Sequence, residues 1–331
     1  MISAGGRLKH ARCAVALIAA GCAGPQSALA PAGRGAEQLA DLFWWMTAGA
    51  IAVWAAVVAL TWRAIRARRD APAERRATTL IIGGGVAVPT LILAALLAYG
   101  LSMLPPLLAP APPGSLRIEV VGEQWWWRVR YHPPEGEPFD LANEIRLPVG
   151  APVQFELTAP DVIHSFWIPA LGGKIDMIPG RRNRLTLEPT RVGTFRGVCA
   201  EYCGTAHARM AFVVVVTEPA AFEGWLAAQR AAAAEPATAD AARGRDRFFA
   251  NGCAACHAVR GTGARGGVGP DLTHVGSRAS IGAGTVANDP AGFARWLAAT
   301  GEVKPGVLMP HYGMLPPDEI DALAAYLESL Q

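Results

Sequence analysis

Two long runs without a charge set the first limit on what this 331-residue chain can become. Leu42 to Trp62 and Thr78 to Leu104 contain no Asp, Glu, Lys or Arg. As helices rising ~1.5 Å per residue, each is long enough to cross a hydrocarbon core of ~30 Å. Between them Arg63, Arg66, Arg68, Arg69, Arg75 and Arg76 crowd a short loop. Arginine-rich loops stay on the cytoplasmic side, so everything after residue 105 is expected outside. Trp44, Trp45 and Trp62 lie near the ends of the first run, as interfacial aromatics do. Gly83-Gly84-Gly85 and Pro89 predict close packing or a kink in the second. Neither run holds an acidic or basic group, so the pair reads as an anchor without an ion path.

Composition closes off other classes. Thirty basic against 27 acidic residues give +3, but the whole positive excess precedes residue 77, beside the apolar runs. That is a topology signal, and nucleic-acid binding is excluded. An apolar fraction of 52% with 17% charged residues excludes whole-chain disorder. Residues 1–22 open with Arg7, Lys9, His10 and Arg12 and pass into the apolar run Cys13 to Ala20, which reads as an export signal. Ala19-Ala20-Gly21-Cys22 resembles a bacterial lipoprotein processing box, making Cys22 the expected lipidation site. Cleavage after Ala28-Leu29-Ala30 is the alternative, and Pro31 disfavours it.

Pro105-Pro106 and the stretch Pro110 to Gly114 are expected to end the second helix. Beyond them, segments 116–131, 143–149, 152–158, 162–168, 183–188, 193–198 and 211–217 read as short strands. They are β-branched or aromatic, separated by Pro, Gly and Asp turns, and predict an antiparallel sandwich. Within it, Cys199-Ala-Glu-Tyr-Cys203-Gly-Thr-Ala-His207-Ala-Arg-Met210 gathers two thiols, an imidazole and a thioether, with His164 on an earlier strand. Soft thiolates with imidazoles and a weak thioether select copper, and two thiolates can bridge two copper ions that His164 and His207 complete. A Cys199–Cys203 disulfide, the usual fate of paired exported cysteines, leaves both histidines and Met210 without a purpose. A Cys2His2 zinc site has no need of Met210.

Residues 218–239 are alanine-rich and read as a linker with one helix around Phe222 to Ala234. After it, Cys253-Ala-Ala-Cys256-His257 has the spacing of covalent haem c attachment, two thiols for the vinyl groups and an adjacent imidazole for the iron. A redox dithiol needs only C-x-x-C; the histidine and the exported context argue against it. A sixth ligand must come later, from Met309, Met314 or His311. Asp240 to Ala250 reads as a helix presenting Phe248 and Phe249, and Asp289-Pro290 as the cap and first turn of a helix through Leu297. Ile320, Leu323, Ala324, Leu327 and Leu330 share one helical face. Met314 is expected in packing, His274 and His311 in solvent.

At these residues the chain resembles two known families. His164 and the run Cys199 to Met210 are similar to the dinuclear copper A site of cytochrome c oxidase subunit II. The resemblance implies a two-helix anchor followed by a cupredoxin-like Greek-key sandwich. It implies that Cys199 and Cys203 bridge the coppers, that His164 and His207 are terminal ligands, and that Met210 and the Glu201 carbonyl are weak axial ligands. The Glu201 side chain would also reach a magnesium ion at the boundary with subunit I. Gly122-Glu-Gln124-Trp125-Trp126-Trp127 resembles the family's aromatic motif, whose first tryptophan, here Trp125, is where electrons enter. Alternation puts Trp125 and Trp127 on one face and Trp126 on the other. Lys174-Ile-Asp176-Met-Ile-Pro179-Gly180-Arg181 resembles a stretch facing subunit I. The family's frequent glutamate early in the second helix has no counterpart, since no acidic residue falls between Arg75 and Arg117. Residues 240–331 resemble class I cytochromes c. That implies Met309, before Pro310, as the ligand opposite His257, and the Pro270 carbonyl as acceptor of the His257 N–H. It also implies terminal helices crossing beside the haem.

The expected protein is therefore a multidomain membrane chain: export signal 1–22, transmembrane hairpin 40–104, all-β copper domain 115–217, linker 218–239 and all-α cytochrome c domain 240–331. The expected function is electron transfer in a bacterial proton-translocating cytochrome c oxidase. A cytochrome c donor would feed haem c, then copper A, then subunit I, with subunit III as a further partner. Both redox domains would face the periplasm from the inner membrane. One alternative is a membrane-anchored copper and haem carrier serving another reductase. The other is a nitrous oxide reductase-like enzyme, which needs a further copper domain for which no room remains.

Overall fold

The computed structural model describes residues 23–66 and 74–331, so the expected export signal, Cys22 and two arginines of the loop lie outside the described residues. Helix α1 covers Arg34–Arg66. A second rod follows as α2 (Glu74–Thr79), a π-helical stretch (Leu80–Ala87) and α3 (Val88–Leu108). Both rods are long and apolar enough to cross a membrane, with mean hydropathies of 1.8 and 2.4 in windows that are nowhere buried. Their threonines stay satisfied inside the helix: Thr47, Thr61 and Thr90 each donate to the carbonyl four residues back. Gly83 to Gly85 fall in the π-helical stretch, and a Cβ on any of them would meet nothing within 4 Å. The triplet thus marks a change of winding, and no close-packed seam forms there among the described residues. Pro105 and Pro106 were expected to help end the helix, but α3 runs through both and stops at Leu108, just before Pro110. A proline forfeits its own N–H bond and disturbs the turn before it, so the cost falls on the last turns of α3 and need not stop the helix at once.

Residues 110–331, with the chain before Gln38, make a separate unit. The strands of its sandwich are β1 (Leu116–Glu123), β2 (Trp126–His132), β3 (Phe139–Ala142), β4 (Glu144–Pro148), β5 (Val153–Thr158), β6 (His164–Trp167), β7 (Ile175–Met177), β8 (Asn183–Leu187), β9 (Gly193–Cys199) and β10 (Ala211–Thr217). They form two five-stranded sheets, β3-β2-β1-β5-β8 and β4-β10-β9-β6-β7. The expected sandwich is present, but it is mixed: β1 runs parallel to β5 and β10 parallel to β4. The switch is made at Asn143, where φ is +60°, a region asparagine tolerates better than most residues. Its side-chain oxygen accepts from Trp127 N at 2.8 Å, and the next residue already belongs to the other sheet. The expected strand over 116–131 is a hairpin, with Glu123 opposite Trp126 and Gln124-Trp125 at the turn.

Alternation along β1, β5 and β10 turns Ile118, Val120, Phe155, Leu157, Val214 and Val216 inward. Trp127 is fully buried between Phe212 and Phe166, at ring separations of 5.1 and 5.8 Å. Gly197, paired with Phe212 across β9 and β10, admits that ring; a Cβ there would lie 2.0 Å from it. Helix α4 (Pro219–Arg230) occupies most of the expected linker, yet it buries Phe222 and Leu226 in the same core.

The C-terminal portion is helical. Thr238 caps α5 (Ala239–Ala250) by accepting from Ala241 N at 3.1 Å. Asp289 caps α6 (Pro290–Val303) by accepting from Gly292 N at 2.6 Å. Helix α7 (Pro317–Ser329) buries its expected apolar face and crosses α5 at Gly244, where a Cβ would stand 1.9 Å from the Ala322 carbonyl oxygen. Two side chains differ from expectation. His274 is buried, its ring nitrogens 2.7 Å from the Gln331 main-chain oxygen and 3.1 Å from the Ala231 carbonyl, because two acceptors there replace water. Met314 is 70% exposed and packs little. His311 is exposed, as expected.

Candidate metal centres

The first site is built at one end of the sandwich by the loop between β9 and β10. Cys199 closes β9, its N–H donating to the Met210 carbonyl at 3.0 Å, and β10 starts at the next residue, Ala211. His164 opens β6, the neighbour of β9. Strand pairing therefore brings His164 to a loop that begins thirty-five residues later in sequence. Cys199 and Cys203 Sγ stand 3.8 Å apart, well beyond the ~2.05 Å of a disulfide. His164 Nδ1 is 3.8 Å from Cys199 Sγ, His207 Nδ1 3.5 Å from Cys203 Sγ, and Met210 Sδ 3.8 Å from Cys203 Sγ. The Glu201 carbonyl oxygen lies 3.2 Å from Cys199 Sγ. His164, Cys199, Cys203 and Met210 are all buried. The Glu201 side chain points away, about half exposed, with its carboxylate 3.9 Å from Lys174 Nζ; Lys174 also pairs with Asp176 at 2.9 Å.

The electrostatics of the thiol pair bear on what fills it. The hydrogen bond shared with Cys203 holds the Cys199 thiol well below its ordinary value against the effect of burial, with His164 contributing. Cys203 is pushed up by its bond to Cys199 and by burial. Two adjacent buried sulfurs cannot both ionise unless a cation neutralises them. The donor set of two thiols, two imidazoles and a thioether therefore fits soft-metal binding.

Sequence reasoning missed two residues that hold His164. Asp161 Oδ1 lies 2.9 Å from His164 Nε2, so the ring donates there and keeps Nδ1 for the thiol side. Burial works to lower the His164 pKa, but bonds to Cys199 and Asp161 outweigh it and raise it. Gly122, on β1, packs directly against the ring; a Cβ would come within 3.1 Å of it. Ala159-Pro160-Asp161 signals a turn, but its tie to His164 is legible only once that histidine is placed.

Trp125 occupies the turn between β1 and β2, and its indole N–H donates to the Cys203 carbonyl at 3.0 Å. Gln124 donates to the same carbonyl at 2.6 Å. Trp125 and Trp127 are buried and Trp126 is half-buried under Arg128, 4.7 Å from its ring.

The second site forms after α5. Cys253 is buried and Cys256 exposed, both free, in a tight turn closed by His257 N donating to the Cys253 carbonyl at 3.0 Å. His257 Nδ1 donates to the Pro270 carbonyl at 2.8 Å, which leaves Nε2 as the nitrogen for a metal. Burial lowers the His257 pKa and favours the neutral, ligating imidazole. Gly269 lies on that ring so closely that a Cβ would come within 2.6 Å. Met309 is half-buried, with Trp296 Nε1 donating to its sulfur at 3.3 Å.

Residues 135–217 match the family described as cytochrome c oxidase subunit II, periplasmic domain, and residues 241–331 match the cytochrome c family. The chain thus carries a subunit II periplasmic domain followed by a cytochrome c domain. Subunit 2 of Alkalihalophilus pseudofirmus is 41% identical over 217 residues, 66% of this chain and 62% of that protein. Subunit 2 of Bacillus sp. strain PS3 is 34% identical over 224 residues, 65% of this chain and 62% of that protein. The chain thus spans a little under two thirds of the length of these relatives. A crystal structure of the periplasmic domain of subunit II from Bradyrhizobium japonicum is 34% identical, over 36% of this chain and 96% of that one, with a TM-score of 0.34. The subunit II domain implies copper A, and the cytochrome c domain implies haem.

Proposed function

We propose that this chain is the electron-transfer subunit of a respiratory cytochrome c oxidase, taking electrons from a cytochrome c donor and delivering them to a haem–copper subunit that reduces oxygen. The observation that carries this reading is the mutual contact of two unbonded thiols, two imidazole nitrogens and a thioether in a subunit II domain. Cys199, Cys203, His164, His207 and Met210, with the Glu201 carbonyl, are the residues to hold a dinuclear copper A centre. Cys253 and Cys256 are those to attach haem c, with His257 and Met309 on its iron. Bound there, the copper pair would supply a one-electron relay and the haem, with Met/His ligation, a donor of raised potential.

The chain's own residues set the geometry. Asp161 and Gly122 fix the His164 ring, and the Pro270 carbonyl fixes that of His257. Trp125 joins the copper loop through the Cys203 carbonyl, the position expected of the residue where electrons enter. The exposed Glu201 carboxylate would take a magnesium ion at a boundary with subunit I only by giving up its contact with Lys174, 3.9 Å away; subunit III and proton translocation belong to the same proposed assembly. The apolar rods anchor the chain in the bacterial inner membrane, with both redox domains on the periplasmic side and Cys22 as a second, lipid anchor.

Metal quantitation and electron paramagnetic resonance on the membrane-purified chain test the reading. A copper pair sharing one unpaired electron, with one haem per chain and a haem–copper subunit in the same preparation, is expected. Isolated mononuclear copper or zinc refutes the dinuclear site, and isolation without any haem–copper partner refutes the oxidase.

A further inference from the structure

Lysine is scarce in this chain. Of thirty basic residues only Lys9, Lys174 and Lys304 are lysines. Lys304 follows α6 and is 1% exposed, one of the largest fully buried side chains of the described residues. A buried amino group must be bonded to be tolerated. Its Nζ donates to the Trp125 carbonyl at 2.6 Å and to the Gly282 carbonyl at 2.9 Å. One acceptor belongs to the turn over the thiol loop, the other to the cytochrome domain.

The surroundings make this a seam between the two domains. Gly306, two residues on, lies on the six-membered edge of the Trp125 indole, where a Cβ would come within 2.7 Å. Arg209, beside Met210, donates to the Val303 carbonyl. Ala211 N donates to the Ala283 carbonyl at 3.2 Å, and Ala279 N to the Glu144 carboxylate at 2.8 Å. The loop from Lys304 to Met309 therefore has Trp125 at one end and the expected haem ligand at the other.

We propose that Lys304 is a positioning residue that latches the cytochrome domain onto the copper domain, holding the Met309 loop against Trp125. The proposal rests on the electron-transfer reading for its consequence, though the latch itself is a matter of packing. With the latch closed Trp125 is only 8% exposed, so a separate cytochrome has no face of that residue to dock on. An external donor must then reduce the cytochrome domain, and the chain's own haem becomes the sole supplier of copper A.

Amine acylation followed by mass spectrometry reads the latch directly in the purified full-length chain. Lys174 is exposed and serves as the internal reference. Lys304 is expected to react about a hundredfold or more slowly than Lys174, as a group released only by domain opening does. Gly306→Val places carbon into the Trp125 ring and is expected to bring the two rates within about tenfold. Lys304→Met, nearly isosteric, covers the case in which the valine variant fails to fold. It is expected to raise oxidative labelling of Trp125 relative to Trp127 and to slow haem-to-copper electron transfer about tenfold, while the haem spectrum and potential stay unchanged. Equal acylation of Lys304 and Lys174 in the unmodified chain overturns the latch. So does a Lys304→Met chain that matches it in both Trp125 labelling and electron-transfer rate. Acylation needs no metal, so a chain found without copper or haem refutes the electron-transfer reading while the amine still decides the latch.

Discussion

Asp161→Ala is the sharpest single test of how the proposed copper site is held. The Asp161 carboxylate accepts three donors: Gln124 N at 2.7 Å, Val162 N at 2.7 Å and His164 Nε2 at 2.9 Å. Losing the partner of a ligating imidazole costs about 10–100-fold in metal affinity, or about 1.4–2.7 kcal/mol. The two freed amides lie beside a carboxylate that is 29% exposed and can turn to water, so fold stability should fall by only about 1 kcal/mol. Competition of the full chain against graded chelators measures copper affinity, and a denaturant melt measures stability. The expected pattern is a large loss of copper with a small loss of stability. Asp140→Ala, which removes an exposed partner of Arg130, is the control and should leave both nearly unchanged. Copper affinity within about twofold of the parent chain would refute the claim that Asp161 orients His164.

Three further outcomes follow from the geometry. Met309→Ala should lower the haem potential, whereas Met314→Ala, at a 70% exposed position, should not; redox titration of the pair distinguishes them. Gly244→Leu drives a side chain into the Ala322 carbonyl at the α5–α7 crossing and should destabilise the cytochrome domain by about 1–3 kcal/mol or more, read from its thermal melt. Docking of the two domains should also depend on pH. Burial, with Arg209 nearby and a weaker opposing pull from Cys203, depresses the Lys304 ammonium from 10.5 to about 7. In the open state the amine recovers its ordinary value, so between those limits the open state binds more protons. Docking should therefore be weakest below pH 7 and strengthen as pH rises through the window, by at most about 1.4 kcal/mol per pH unit. Small-angle scattering that shows opening with rising pH would reverse the sign and refute the argument.

How much of this was legible in the sequence depends on how local each cause is. The membrane rods, the C-x-x-C-H turn and the Asp289 cap are written in contiguous residues, and each lies where expected among the described residues. The thiol and imidazole cluster was legible because its residue types are rare, even though His164 joins only through strand pairing. What stayed hidden was non-local. The parallel pairing of β10 with β4 follows from one residue, Asn143, with a positive φ that no periodicity reveals. His274 was expected in solvent because nothing nearby in sequence offers it acceptors; they come from residues 231 and 331. Nothing near Lys304 in sequence marks it for burial; the two carbonyls that hold it come from residues 125 and 282.

The tryptophan motif shows why burial alone is a poor guide to role. Alternation along a single strand put Trp125 and Trp127 on one face, and both are indeed buried. They are buried for different reasons, because a turn separates them. Trp127 lies among Phe166, Phe212 and the His164 ring, and its indole N–H has no protein partner. An unpaired N–H in a core costs about 1–3 kcal/mol, a penalty sustained here by the packing of a large ring in the sandwich interior. Trp125 buries less against the core but directs its N–H at the Cys203 carbonyl and its far edge at Gly306. The direction of the N–H therefore separates a packing aromatic from a connecting one. On that criterion Trp125 is the tryptophan that links the Cys203 loop to the cytochrome domain.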